Sequence, residues 1–125
     1  MDVTIISKIE NDYLMIKSSG SVVGIDEYIL LQERYYNEIV SYGFTEIIVD
    51  ESEMELPPSI MAQDEIVKFF SDELPEEIKR WKIAAVLPNN YIEIARYWEL
   101  QANKNGYYSY KVFTSVDDAR QFIQT

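Results

Sequence analysis

The sequence predicts one α/β domain over residues 1–125, a mixed, mostly parallel five-stranded sheet with an N-terminal antiparallel hairpin and about four helices. Three observations carry that expectation. Strand-like alternation and helical spacing succeed one another in the order β-β-α-β-α-β-α-β-α, which implies parallel pairing through right-handed crossovers. Glu10-Asn11-Asp12 is turn chemistry between two alternating runs, so the chain opens with a hairpin. Trp81 to Leu87 is apolar apart from Lys82, the composition of an interior strand covered on both faces.

The elements follow in order. Val3, Ile5 and Ser7 alternate with Thr4, Ile6 and Lys8 as a first strand, and Tyr13 to Lys17 forms the second. A bulge at Gly20 lets Val22-Val23 prolong it. Asp26 to Tyr42 is a helix whose inner stripe is Ile25, Tyr28, Ile29, Gln32, Tyr36, Ile39 and Val40, with Gly43 as its left-handed stop. Thr45 to Val49 is a short β-branched strand closed by Asp50. After Pro57-Pro58, Ser59 caps a helix over Ile60 to Leu74. Asn90 and Glu93 form a capping box for a third helix with Tyr91, Ile94, Ala95, Trp98 and Ala102 inward. Tyr108 to Thr114 is the last strand, and Ser115 caps a final short helix with Asp118 at its third position.

Charge narrows the partners. Twenty-two acids against eleven bases give −11, and no basic cluster exceeds Lys79–Arg80. Nucleic acid and anionic membrane surfaces are therefore not expected partners, since both are held by basic patches. Met1-Asp2-Val3-Thr4 lacks the basic and apolar regions of a signal peptide, and no apolar run approaches the ~20 residues of a membrane span. A cytoplasmic location is the expectation.

Histidine and cysteine are both absent. That removes Ser-His-Asp triads, thiol nucleophiles and imidazole or thiolate zinc sites. Four dispersed glycines supply no phosphate-cradling loop. No enzyme activity and no cofactor are expected.

Two features are candidate interaction surfaces. The run Asp50-Glu51-Ser52-Glu53-Met54-Glu55 follows a predicted parallel strand, where ligands of open α/β sheets bind. Its oxygens suit Mg²⁺ or Ca²⁺ by type, but the EF-hand spacing and glycine are missing, so no metal is assigned. The run reads first as a solvated loop or strand extension, with Met54 and Leu56 turned the other way, and second as a contact surface. Tyr107, Tyr108 and Tyr110 cannot all face inward on one strand, and Tyr35 and Tyr36 straddle a helix face. Exposed tyrosine favours interfaces, so a self-complementary patch and a homodimer are expected on one reading, and ordinary packing on the other.

The element order resembles the STAS fold of anti-sigma-factor antagonists. The ending Lys111-Val112-Phe113-Thr114-Ser115-Val116-Asp117-Asp118-Ala119-Arg120-Gln121-Phe122-Ile123 and the strand Trp81-Lys82-Ile83-Ala84-Ala85-Val86 are similar to its SpoIIAA-like branch, also labelled STAS/SEC14. The likeness covers nearly the whole chain. It implies a non-enzymatic regulatory or protein-interaction module that binds a protein partner or a second copy. It also places Ser59 where the family's D-S-S-G box carries its first serine, a candidate regulatory position, although Pro58, Ile60 and Met61 depart from the box. The SEC14-like side of the family implies an alternative, a small apolar-ligand or lipid-binding domain. Its cavity would be lined by Met61, Phe69, Phe70, Tyr97 and Trp98.

Overall fold

The computed structural model describes residues 1–57 and 64–125, with side chains of the second stretch from residue 68 onward. Nine-residue strands β1 (Asp2–Glu10) and β2 (Tyr13–Ser21) form the expected hairpin, paired antiparallel from Asp2↔Ser21 to Glu10↔Tyr13. Asn11 turns the chain at φ 51°, a conformation its short polar side chain tolerates. Then come α1 (Ile25–Tyr42), β3 (Glu46–Glu55), α2 (Asp64–Asp72), β4 (Lys82–Val86), α3 (Ile92–Lys104), β5 (Tyr110–Phe113) and α4 (Val116–Gln124). The strands lie in the order β1-β2-β3-β4-β5, and every pair after the first is parallel. The mixed sheet and the interior place of β4 are as the sequence predicts.

The two faces of the sheet are covered unequally. Leu14, Ile16, Ile47, Val49 and Val112 pack with Tyr28, Leu31, Tyr35 and Ile39 of α1 and with Ala95 and Trp98 of α3. Phe70 of α2 joins this larger cluster from its edge. On the other face Tyr13, Met15, Ile48, Ala84 and Val86 pack against α4 through Ala119 and Ile123. Lys82, the one charge in the β4 run, serves that smaller face. Its ammonium lies 3.4 Å from the Ile123 carbonyl near the C-terminus of α4 and 4.9 Å from the Phe122 ring centroid.

Several local expectations change. The inner stripe of α1 is Tyr28, Leu31, Tyr35 and Ile39, at spacings of three, four and four, while Val40 is half exposed. Tyr36, expected inside, instead flanks the stripe and stacks on Trp81 at 6.0 Å. The Asn90–Glu93 capping box does not form. A 3₁₀ turn over Asn89–Tyr91 leads into α3 and leaves it without a side-chain cap. β5 starts at Tyr110 rather than Tyr108, because Asn103 holds the carbonyls of Tyr107 and Tyr110 in a turn. Ser115 caps α4 as expected, accepting from the Asp118 amide, and Gly43 ends α1 at φ 77°. The Ser59 cap and the start of its helix lie outside the described residues.

The bulge also moves, from Gly20 to β3. Between Lys17↔Asp50 and Ser19↔Glu53, two steps along β2 stand against three along β3. The extra residue changes which face later side chains meet. Val49 and Glu51 point to the α1 side before it, and Met54 and Leu56 point there after it. The Asp50 carboxylate accepts the Ser52 amide at 3.0 Å and fixes the distortion. The strand therefore runs on to Glu55 instead of ending at Asp50.

Both sheet ends are tied. On the β5 edge the Val112 amide donates to Glu99 Oε1 of α3 at 2.7 Å, which occupies a donor otherwise open to strand pairing. At the hairpin tip Arg120 of α4 bonds Glu10 at 3.1 Å, and Tyr13 donates to the same carboxylate at 3.1 Å. Burial pushes the Glu10 carboxyl up, but the hydrogen bonds from Arg120 and Tyr13 and the guanidinium charge outweigh it and leave its pKa below the usual value. Because Arg120 is partly exposed, Arg120→Ala is expected to cost only about 1 kcal/mol. Denaturant melts should show that difference shrinking as salt is added.

Candidate functional site

Two sites stand out, one inside the larger core and one at the carboxyl ends of the strands. The inner site begins with Glu51, only 3% exposed. Alternation along β3 from Ile47 and Val49 points it towards α1, where Tyr28 and Tyr35 stand seven residues, or two turns, apart. Tyr28 donates to Oε1 and Tyr35 to Oε2, each at 2.7 Å. Ser18 of β2 sits 2.7 Å from the Tyr35 hydroxyl and completes the chain of contacts. Burial pushes the Glu51 carboxyl above its ordinary value, the two tyrosine hydroxyls pull it back in part, and neighbouring Asp50 raises it further. Tyr28 and Tyr35 are themselves driven well above 10, first by burial and then by the Glu51 charge.

Around this knot lies a cavity of about 90 Å³, partly open to solvent, between the sheet and α1, α2 and α3. Its walls are mostly apolar and aromatic, and Tyr36, Phe70, Trp81, Trp98, Tyr107 and Tyr110 contribute. Tyr107 donates to the Phe70 carbonyl and is pushed up to about 12, chiefly by burial and then by Glu76. Of the lining expected for a lipid carrier, Phe70 and Trp98 are present. Phe69 is buried elsewhere, Tyr97 is 45% exposed, and Met61 lies outside the described residues. The volume is well under the several hundred Å³ of an ordinary ligand pocket, so a lipid chain has no room here.

The outer site is a shallow groove of about 450 Å³ beyond the ends of β2, β3 and β4, lined by Val22, Val23, Met54, Leu56, Pro57 and Tyr91 among others. Val23 is 79% exposed there, an apolar side chain held in water. Open α/β sheets bind ligands at this end.

The residues singled out from the sequence scatter. Glu53 is exposed and pairs loosely with Lys17 at 3.4 Å, and Tyr108 is 81% exposed. Asp50, Glu51 and Tyr107 are buried and Tyr110 is half-buried, so these four do not form the expected interaction surface. The reasons are the continuation of β3 past Val49, which carries Asp50 and Glu51 within the sheet, and the turn before β5, which sends Tyr107 inward. Of Tyr107, Tyr108 and Tyr110, Tyr108 alone is exposed. Among the described residues no group of three or more acidic side chains is placed to hold a metal ion, and no helix is long and apolar enough to cross a membrane.

The groove and the inner knot are what sequence reasoning missed. Tyr28 and Tyr35 at a seven-residue spacing, opposite an acid that follows a β-branched strand, were the available signal for the knot.

This arrangement of strands and helices is the STAS fold. The chain superposes on the crystal structure of an anti-sigma factor antagonist from Mycobacterium paratuberculosis with a TM-score of 0.62 and 14% identity, over 98% of this chain and 95% of that one. No protein-family model matches the sequence, and no curated protein does.

Proposed function

We propose that the protein is a non-enzymatic regulatory module of the SpoIIAA-like STAS type, which works by docking a protein partner in the groove at the carboxyl ends of β2, β3 and β4. The observation that carries this reading is the end-to-end likeness of fold to a protein named for antagonising an anti-sigma factor. The exposed apolar Val23 beside Pro57 supplies the surface, since such a side chain gains most when a partner removes it from water. With −11 overall, the partner's complementary rim is basic.

Ser59 follows Pro57 by two residues and is the regulatory position in this reading. A phosphate there adds about −1.5 to −2 charges, which a basic rim would attract, so Ser59→Glu should tighten partner binding and Ser59→Ala should leave it unchanged. Affinity capture from the source organism with wild-type and Val23→Glu protein tests the docking. A protein enriched on wild type and depleted at least tenfold on Val23→Glu is the expected result. Identical captures on the two proteins would refute it.

A further inference from the structure

Among the described residues, four buried polar side-chain atoms have no hydrogen-bond partner: Ser7 Oγ, Gln32 Nε2, Ser71 Oγ and Trp98 Nε1. Three of the four belong to residues lining the inner cavity. Each of those three is a donor, and Trp98, 6% exposed, can only donate. Gln32 lies close enough to Glu51 to favour its charged form, yet its amide nitrogen completes no bond of normal geometry. Leaving a buried donor unmet costs about 1–3 kcal/mol, so three around one cavity need a common explanation.

We propose that this cavity is a binding site for a small, neutral, planar molecule carrying hydrogen-bond acceptors, of the amide or azine class. Acceptors answer the three donors. Planarity suits walls built from Tyr36, Phe70, Trp81 and Tyr107. Neutrality follows from the charges. An anion would meet Glu51 in a poorly solvated space, and a cation finds both Glu51 oxygens already taken by Tyr28 and Tyr35. Size sets an upper limit of one small ring, since the cavity of about 90 Å³ is smaller than an apolar cavity of about 150 Å³ that takes benzene. The site lies apart from the partner groove, so ligand binding and partner docking are separable.

The test uses the full chain labelled with ¹⁵N, pyridazine as the probe and benzene as its matched apolar control. Only two tryptophans exist, so the Trp98 indole N–H resonance is assigned by comparison with Trp98→Phe. Pyridazine is expected to shift that resonance saturably and to bind more tightly than benzene. Ser71→Ala should weaken pyridazine roughly threefold to tenfold, the worth of one hydrogen bond, and leave benzene unchanged. Trp98→Phe, followed through the tyrosine resonances, should weaken it similarly and guards against a Ser71 variant that folds poorly. No saturable shift with pyridazine would mean that water alone meets these donors and would overturn the proposal. Equal affinity for benzene would overturn it too.

Discussion

Replacing Glu51 by alanine is expected to destabilise the fold by roughly 2–4 kcal/mol. The substitution takes the acceptor from two buried hydroxyls, those of Tyr28 and Tyr35, and an unmet buried hydroxyl costs about 1–3 kcal/mol. Tyr35 keeps Ser18, and removal of a buried acid relieves some desolvation, so the effect stays below the full sum. Glu51→Gln keeps the shape and one acceptor and should fall within about 1 kcal/mol of wild type. The pair also separates in pH. The folded-state pKa of Glu51 is raised, so its stabilising contribution is complete below the unfolded carboxylate range. It is lost as pH rises from that range through the raised folded value. Wild type should therefore lose stability over that window relative to Glu51→Gln. Parallel urea melts from pH 4 upward check this, and curves that run parallel throughout would show that folding does not raise the Glu51 pKa.

Gly20→Ala is expected to cost about as much or more, roughly 2–5 kcal/mol, for a steric reason. Gly20 sits at φ 117° opposite Val3, and a Cβ there would stand 2.1 Å from the Asp2 carbonyl oxygen. That atom is backbone in a paired strand, so relief requires the start of β1 to leave β2. The strained torsion adds about 1–3 kcal/mol and the forced separation a similar amount. Hydrogen exchange should quicken at Val3 to Ile5 and remain slow in β3 and β4. Gly24→Ala is the control, since a Cβ there meets nothing within 4 Å, and its effect should stay within about 1 kcal/mol.

These two residues also show where sequence reading succeeds and fails. The order of strands and helices was readable because each element carries its own period, and because the Lys82–Val86 run is too apolar for an edge. The antiparallel start was readable from turn chemistry at Asn11. The face of a side chain after a bulge is not, because one extra residue in β3 reverses the alternation that the reading relies on. Glu51 keeps the facing of Val49, but with the strand expected to end at Asp50 it reads as one acid in a solvated run, although it closes the core against two tyrosines. Tyr35 and Tyr36 lie only 100° apart on α1, so periodicity alone did not decide which one faced in. Their partners did, Ser18 and Glu51 for the one and Trp81 for the other. The groove is formed by three strand ends and Tyr91, residues distant in sequence, and no local motif announces it.

Docking of a protein partner at the carboxyl ends of β2, β3 and β4, as proposed, would leave a footprint on the groove residues. The most direct measurement is the map of amide shifts in the ¹⁵N-labelled protein on titration with a captured partner. Perturbations are expected to concentrate at Ser21 to Val23, Met54 to Pro57 and Asn90 to Tyr91, with α4 unchanged. Perturbations centred on α4 and the hairpin tip at Glu10 to Tyr13, with those groove residues silent, would contradict it.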